Sequence, residues 1–186
     1  MIVILSGVSG AGKDTIKRIL MGKDGRIKTL PSYTTRDKRI NEVEGENYYY
    51  VSKEKFKEMI DNNEFYEYSV HHGNYYGTNK KLLNERIKNN IVLKDIDVNG
   101  TEDLLKIFRG TDIKIISIFL NISKEEMLRR LENRDDKLKQ EEIDLRMNRY
   151  DYEMNHIGIY DYVIKNYDAE KTSNIILDII KREQEQ

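Results

Sequence analysis

The sequence predicts an α/β fold, a parallel sheet with helices on both faces. Three observations carry this. Short apolar runs of strand length (Ile2 to Leu5, Ile91 to Val98, Ile113 to Leu120) alternate with longer stretches whose apolar residues recur at helical spacing. Such alternation sets parallel strands side by side and covers the sheet with helices. The first run also passes through a glycine-rich turn, Gly7-Val8-Ser9-Gly10-Ala11-Gly12-Lys13-Asp14-Thr15, into a stretch marked by Ile16, Ile19 and Leu20.

That turn has the form G-x-x-x-x-G-K between a strand and a helix, the context in which it binds phosphate. Glycines let backbone N–H groups turn inward, and the positive end of the next helix adds to the cradle. Lys13 supplies a mobile positive charge at the β/γ-phosphates. The residue after the lysine is usually Ser or Thr, whose hydroxyl reaches the nucleotide's magnesium. Here Asp14 stands there, and the hydroxyl comes one place later at Thr15.

The bulk properties narrow the class. The chain has 186 residues, enough for one α/β domain with an inserted flap or two. A formal net charge of −1 gives no basic excess for a dedicated nucleic-acid binder. The absence of cysteine excludes disulfides and thiolate metal sites. No signal-peptide pattern follows Met1 and no apolar run could span a bilayer, so a cytoplasmic, membrane-free protein is expected.

The first helix is expected to stop near Gly22 or Gly25. The segment from Pro31 through Arg36 and Arg39 to Tyr48-Tyr49-Tyr50 is polar and aromatic, with too few aliphatics for a core. It fits either a solvated β-rich flap or a second phosphate site, where arginine forks and hydroxyls converge. Ser52 is placed to cap a short helix with Phe56, Met59 and Ile60 as its buried stripe. A strand follows from Glu64 to His71, then a turn, then a helix carrying Leu82, Leu83 and Ile87. The run Ile91 to Val98 ends in Asp95 and Asp97, two apart and so on one face of the strand, at the end where α/β sheets bind ligands. Solvated strand-end aspartates fit the same spacing.

Leu104, Leu105 and Phe108 mark the next helix. Ser123-x-x-Glu126 is a capping box for a helix with Met127, Leu128 and Leu131 on its apolar side. From Arg129 to Asn155 the chain is densely charged. It fits an exposed helical pair or a mobile lid whose arginines close over a triphosphate. A last strand at Tyr162-Val163-Ile164 and a helix with Ile175, Ile176, Ile179 and Ile180 complete the chain. His71, His72 and His156 lack metal-ligand spacing and are expected at the surface or in packing.

Taken together these residues resemble the guanylate kinase family over almost the whole chain. The resemblance rests on the loop Gly7 to Thr15, on Ser32-Tyr33-Thr34-Thr35-Arg36 with Arg39, and on Glu42-Val43-Glu44-Gly45 and Tyr48. It continues through Asn63-Glu64-Phe65-Tyr66-Glu67, Gly73-Asn74-Tyr75-Tyr76-Gly77-Thr78, Asp95-Ile96-Asp97, Arg130-Leu131-Glu132 with Arg134, and Tyr160-Asp161-Tyr162-Val163-Ile164 with Asn166. It implies a P-loop NTPase-type parallel sheet with a core of residues 1–31, 79–124 and 156–186. A β-rich GMP-binding flap over 32–78 and a helical lid over 125–155 would complete a single domain.

The resemblance also implies roles. Gly7, Ser9, Gly10, Ala11, Gly12, Lys13, Asp14 and Thr15 would hold ATP, with Asn166 near its adenine. Ser32, Arg36, Arg39, Tyr48 and Tyr76 would hold the phosphate of GMP. Glu67, Thr78 and Asp97 would read the guanine. Lys13, Arg36, Arg130, Arg134 and Arg146 would serve the transferred phosphoryl group. Asp14, Thr15 and Asp95 would serve Mg2+, partly through water. The implied reaction is ATP-dependent phosphorylation of GMP, and of dGMP, with nucleotides as the only partners and a homodimer left open.

The chain departs from the family pattern in four places. Asp14 takes the usual hydroxyl position, an arrangement similar to that of adenylate kinases. Thr78 stands where serine is common. Lys94 precedes the aspartates where the strand is usually apolar, and alternation points it away from them, toward solvent or a helix. Asp135-Asp136 replaces a glycine after Arg134, with an extra residue before Arg146. Two other functions fit parts of the pattern: a kinase of the same fold acting on a ribose bisphosphate, and a non-catalytic binding module. Retained Glu67 and Asp97 argue against the first; retained Lys13, Arg36, Arg39 and Arg130 argue against the second.

Overall fold

The computed structural model describes residues 1–40, 42–71, 73–133 and 139–185. Arg134, Asp135, Asp136 and His72, singled out above, lie outside the described residues. The elements run β1 (Ile2–Gly7), α1 (Lys13–Lys23), β2 (Ile27–Thr29), β3 (Ser32–Thr34), β4 (Tyr48–Tyr50), α2 (Lys53–Asp61), β5 (Phe65–His71), β6 (Asn74–Asn79) and α3 (Lys80–Arg86). They continue with β7 (Ile91–Asp95), α4 (Val98–Phe108), β8 (Ile115–Asn121), α5 (Lys124–Glu132), α6 (Gln140–Asn155), a short 3-10 turn, β9 (Tyr162–Lys165) and α7 (Ala169–Gln184).

A central parallel sheet flanked by helices has the strand order β2-β7-β1-β8-β9, and a second sheet has the order β4-β3-β6-β5. By contact density the chain divides into two units. One comprises Met1–Ile2 with Arg26–Ile115, the other Val3–Gly25 with Ile116–Gln186.

In the first unit, Ile27 faces Ile91 across the parallel β2–β7 pair. The second sheet is mixed: β3 runs parallel to β4, with Ser32 opposite Tyr48, and antiparallel to β6, with Thr34 opposite Tyr76. Its apolar side is built by α2. The Ser52 side chain accepts the Lys55 N–H and starts that helix, as its position foretells. The helix then buries Phe56 and Met59 against Phe65, with Tyr33 and Tyr75 packed around them. Phe56 stacks on Phe65 at 4.5 Å between ring centroids. One sequence expectation needs correcting here. The strand carrying the two aspartates stops at Asp95, and Asp97 leaves it to become the N-cap of α4, accepting the Gly100 N–H at 3.0 Å. Its short carboxylate satisfies an orphan helix donor, which competes with continuing the strand.

In the second unit, Val3, Ile4 and Leu5 of β1 and Phe119 and Leu120 of β8 are buried, as are Ile16 and Leu20 of α1. Ser123 caps α5 through the Glu126 N–H, again as expected. The charged segment forms α5 and α6, which bury only Met127, Leu131 and Ile143. Lys23 ties α1 to α7 through Glu170 at 2.6 Å and Asn174 at 2.7 Å.

Candidate active site

The phosphate loop lies wholly in the second unit and is held from outside. Gly12 sits at φ 89°, a left-handed conformation that disfavours any Cβ, and a Cβ built there would meet Asn166 Nδ2 at 2.8 Å. Asn166 itself donates to the Ala11 carbonyl at 2.6 Å. A trans peptide points its N–H opposite its carbonyl, so this bond turns the Gly12 N–H the other way. Arg130 of α5 donates to the Gly10 carbonyl at 3.1 Å and to the Asn166 carbonyl at 3.0 Å. Glu126 steadies that guanidinium at 2.6 Å. Hydrogen bonds from Arg129 and Arg130 hold the Glu126 carboxyl down at about 2. Arg146 of α6 donates to Ser9 Oγ at 3.0 Å and is backed by Glu142 at 2.7 Å. Lys13 folds back onto the Gly7 carbonyl at 2.8 Å.

Thus Arg130, Arg146 and Asn166, distant in sequence, converge on Ser9 to Gly12. Asp14 and Thr15 occupy the first turn of α1, and both are exposed. The Asp14 side chain is 93% exposed and pairs with Lys17 at 2.7 Å. Among the described residues no group of three or more His, Cys, Asp or Glu side chains is placed to hold a metal by itself. Asp14 and Thr15 are oxygen donors of the kind that suits Mg2+, an ion that keeps several waters and binds through one or two protein oxygens plus phosphates. Asp95, in the first unit, is an oxygen donor of the same kind.

The first unit holds a different kind of site, made of side chains. Its organiser is Glu42, which carried no assigned role in the sequence. Oε1 takes Arg36 Nη2 at 2.6 Å, and Oε2 takes the Arg39 N–H at 2.9 Å and the Tyr50 hydroxyl at 2.8 Å. Burial alone would raise the Glu42 carboxyl, but those donors and the Arg36 charge bring it down to about 2. Tyr50 is pushed up to about 12, by burial and by its bond to Glu42. The anchored Arg36 guanidinium lies over the Tyr48 ring at 5.3 Å, and Tyr48 meets Tyr76 edge-on at 5.8 Å. Ser32, Arg36, Tyr48 and Tyr76 are thereby gathered on β3, β4, β6 and the following loop. Arg39 is exposed on that loop.

At the other end of β6, Thr78 pairs with Glu67 of β5 in register, and its hydroxyl donates to Glu67 Oε1. Glu67 is 8% exposed. Burial raises its carboxyl above the ordinary range; the Lys94 charge and the Thr78 hydroxyl oppose the rise, while Asp97 and Asp103 add to it. A Cβ at Gly100 would stand 3.2 Å from Glu67 Oε2 and press on the end of the Ile96 side chain, so glycine gives the start of α4 a close approach to this carboxylate. His71 Nε2 lies 3.0 Å from Asp97 Oδ2 and 3.1 Å from Ser69 Oγ, which puts this histidine beside the Glu67 group. One residue here was misjudged from sequence. Lys94 does not reach solvent: it is 1% exposed, and its ammonium meets Ser32 Oγ and the Leu30 carbonyl. Alternation does turn it away from Asp95, but the chain entering β3 covers that face.

A loop of this form opening α1, gripped by arginines from a helical segment, defines a P-loop protein of the nucleotide-handling class. Comparison with known proteins takes the class further. The guanylate kinase family model matches residues 1–183. The guanylate kinase of Prochlorococcus marinus subsp. pastoris is 40% identical over 182 residues, spanning 97% of this chain and 96% of its own. The crystal structure of guanylate kinase from Anaplasma phagocytophilum superposes with a TM-score of 0.80 at 31% identity, covering all of this chain and 87% of that one. A shikimate kinase from Bacteroides thetaiotaomicron, at 14% identity and a TM-score of 0.56 over 97% of this chain and 98% of its own, shares the fold alone. The chain belongs to the guanylate kinase family.

Proposed function

We propose that this chain is an ATP-dependent kinase of GMP, transferring the γ-phosphoryl group to give ADP and GDP. The observation that carries the substrate is the buried Glu67 carboxylate, held by Thr78 and flanked by Asp97, in the same unit as the Arg36–Tyr48–Tyr76 group. Guanine presents N1–H and an exocyclic amine on one edge, and Glu67 accepts both. Adenine offers a lone pair there, which would leave the carboxylate unpaired at about 1–3 kcal/mol. Polar sites of this kind discriminate strongly. dGMP keeps the same edge and phosphate and is accepted as well.

Ser32, Arg36, Arg39, Tyr48 and Tyr76 hold the acceptor's phosphate. Glu42 keeps the Arg36 fork in place, so the fork meets phosphate already ordered. On the donor side, backbone N–H groups from Gly7 to Thr15 take the triphosphate, Lys13 swings from the Gly7 carbonyl to the β/γ-phosphates, and Asn166 lies by the adenine. Arg130, Arg134 and Arg146 neutralise the transferring group. Asp14, Thr15 and Asp95 would hold Mg2+, partly through water, and the ion would supply charge neutralisation to the phosphates. An oxygen of the acceptor's phosphate attacks in line, so positioning and charge suffice and no general base is required. The protein works in the cytoplasm on free nucleotides, as one domain with core, flap and lid as delimited above.

A coupled ADP-release assay with GMP, dGMP, AMP, UMP, CMP and ribose bisphosphate tests this. Turnover is expected with GMP and dGMP. Turnover only with the sugar phosphate would overturn it, and GMP binding with no turnover on any acceptor would favour a binding module.

A further inference from the structure

Lys94 is a buried cation for which the reaction as described has no use. It sits on β7 among apolar residues (Val92 and Leu93 are fully buried) and is itself 1% exposed. Burying an ammonium carries a large desolvation penalty unless partners compensate. Among its partners are the Leu30 carbonyl at 3.4 Å and Ser32 Oγ. It also exerts its charge on Glu67.

The contact with Ser32 has a directional consequence. An ammonium only donates, whereas a hydroxyl has one proton and two lone pairs. Ser32 Oγ is therefore the acceptor from Lys94, and its own proton is turned toward a different acceptor. Ser32 stands opposite Tyr48 in the β3–β4 pair, and Tyr48 carries Arg36 above its ring. An incoming phosphate held by Arg36 supplies the acceptor that the hydroxyl needs.

We propose that Lys94 is a positioning residue for the phosphate of the acceptor nucleotide, fixing Ser32 Oγ so that its hydroxyl donates to a phosphate oxygen and bringing buried positive charge to that end of the site. This rests on the assignment of Ser32 to the acceptor's phosphate. Lys94 touches no reacting atom in this scheme and acts through Ser32.

The test is a double-mutant cycle on the full chain with Lys94→Met, Ser32→Ala and both together. GMP and guanosine affinities are read by calorimetry or competition, and Michaelis constants for GMP and ATP by coupled assay. Methionine keeps the volume and removes the charge, and it leaves the buried Glu67 carboxyl with one compensating charge fewer. Lys94→Gln is measured in parallel, with the ligand-free thermal midpoint of each variant.

Lys94→Met is expected to weaken GMP about tenfold while leaving guanosine and the ATP Michaelis constant within about twofold. In the Ser32→Ala background it should add little. Equal loss of GMP and guanosine would overturn the proposal, because Lys94 would then act on Glu67 or on packing. So would additive effects of the two substitutions, or unchanged GMP affinity in Lys94→Met where Ser32→Ala weakens it. If Ser32→Ala itself leaves GMP binding intact, the assignment of Ser32 falls, and the proposal with it.

Discussion

On the proposed function, the phosphate loop and the Glu42–Glu67 region would recognise phosphorylated ligands by opposite means. The loop uses backbone. Its carbonyls at Gly10 and Ala11 are taken by Arg130 and Asn166, and glycine supplies the left-handed turn at Gly12. The other region uses side chains that are already hydrogen-bonded to one another: Arg36 to Glu42, Thr78 to Glu67, Lys94 to Ser32. Backbone reads what all nucleoside triphosphates share, a chain of anionic oxygens. Side chains placed from distant strands are needed to read what distinguishes one base from another. On that proposal the loop sets the class of ligand, and the second region sets its identity.

Lys13→Met breaks that division most severely if it is wrong. Removing one aligned donor from a charge-stabilising site costs about a hundredfold to a thousandfold in turnover. That loss is expected in kcat, measured by ADP release at saturating substrates, while the GMP dissociation constant by calorimetry stays within about twofold. A comparable loss of GMP binding would mean that the two regions do not act separately.

The same division explains what the sequence could disclose. A backbone site needs contiguous residues, so Gly7 to Lys13 is legible as a motif, as are the Ser52 and Ser123 helix caps and the alternation that predicts a parallel sheet. Arg146 on Ser9 spans 137 positions, and no spacing announces it. Glu42 and Lys94 were missed as contributors for a related reason. A carboxylate in a polar loop and a lysine in a strand have ordinary solvated alternatives, and only the fold brings Arg36 to the one and Ser32 to the other. Asp97 shows a local competition: an alternating pattern placed it on the strand, but its short carboxylate serves better as the cap of α4.

Glu67→Gln probes the base-reading half. The amide puts a donor where guanine also donates, and the expected rise in the GMP Michaelis constant is about tenfold to a hundredfold, with that for ATP unchanged. Equal losses for both, by coupled assay, would refute the assignment. A pH arm accompanies it. Burial raises the Glu67 carboxyl, so its stabilising contribution to the ligand-free fold is present at low pH and lost as pH rises through that raised value. On the proposed assignment GMP has the opposite preference, since it would bind the anion. The wild-type Michaelis constant for GMP should climb as pH is lowered through that raised value, and Glu67→Gln should flatten that limb.

Glu42→Gln is expected to have a smaller effect, roughly tenfold on the GMP Michaelis constant, by loosening Arg36 without removing it. Its pH signature has the reverse sign. The Glu42 carboxyl falls from an ordinary 4.5 to about 2, so it contributes stability that is present above 4.5 and lost as pH falls toward 2. Thermal midpoints followed down that window should drop less steeply in the variant than in wild type. Parallel slopes would show that Glu42 is not held as its three donors indicate.

The smallest expected effect tests the odd residue of the backbone half. The Asp14 side chain is almost fully exposed and its pairing with Lys17 is a surface contact, worth little to stability. Asp14→Ser should therefore leave the thermal midpoint nearly unchanged. It should also leave GMP affinity alone, because the proposal assigns recognition of GMP to the other region. If Asp14 serves the metal through water, the magnesium concentration that gives half-maximal turnover shifts by roughly twofold to fivefold, since one carboxylate among several oxygen donors is exchanged for a neutral hydroxyl. An unchanged magnesium titration would reduce Asp14 to a favourable charge at the start of α1. The loop would then recognise the nucleotide's charge through backbone, Lys13 and the arginines, with the metal ion carried by the phosphates themselves.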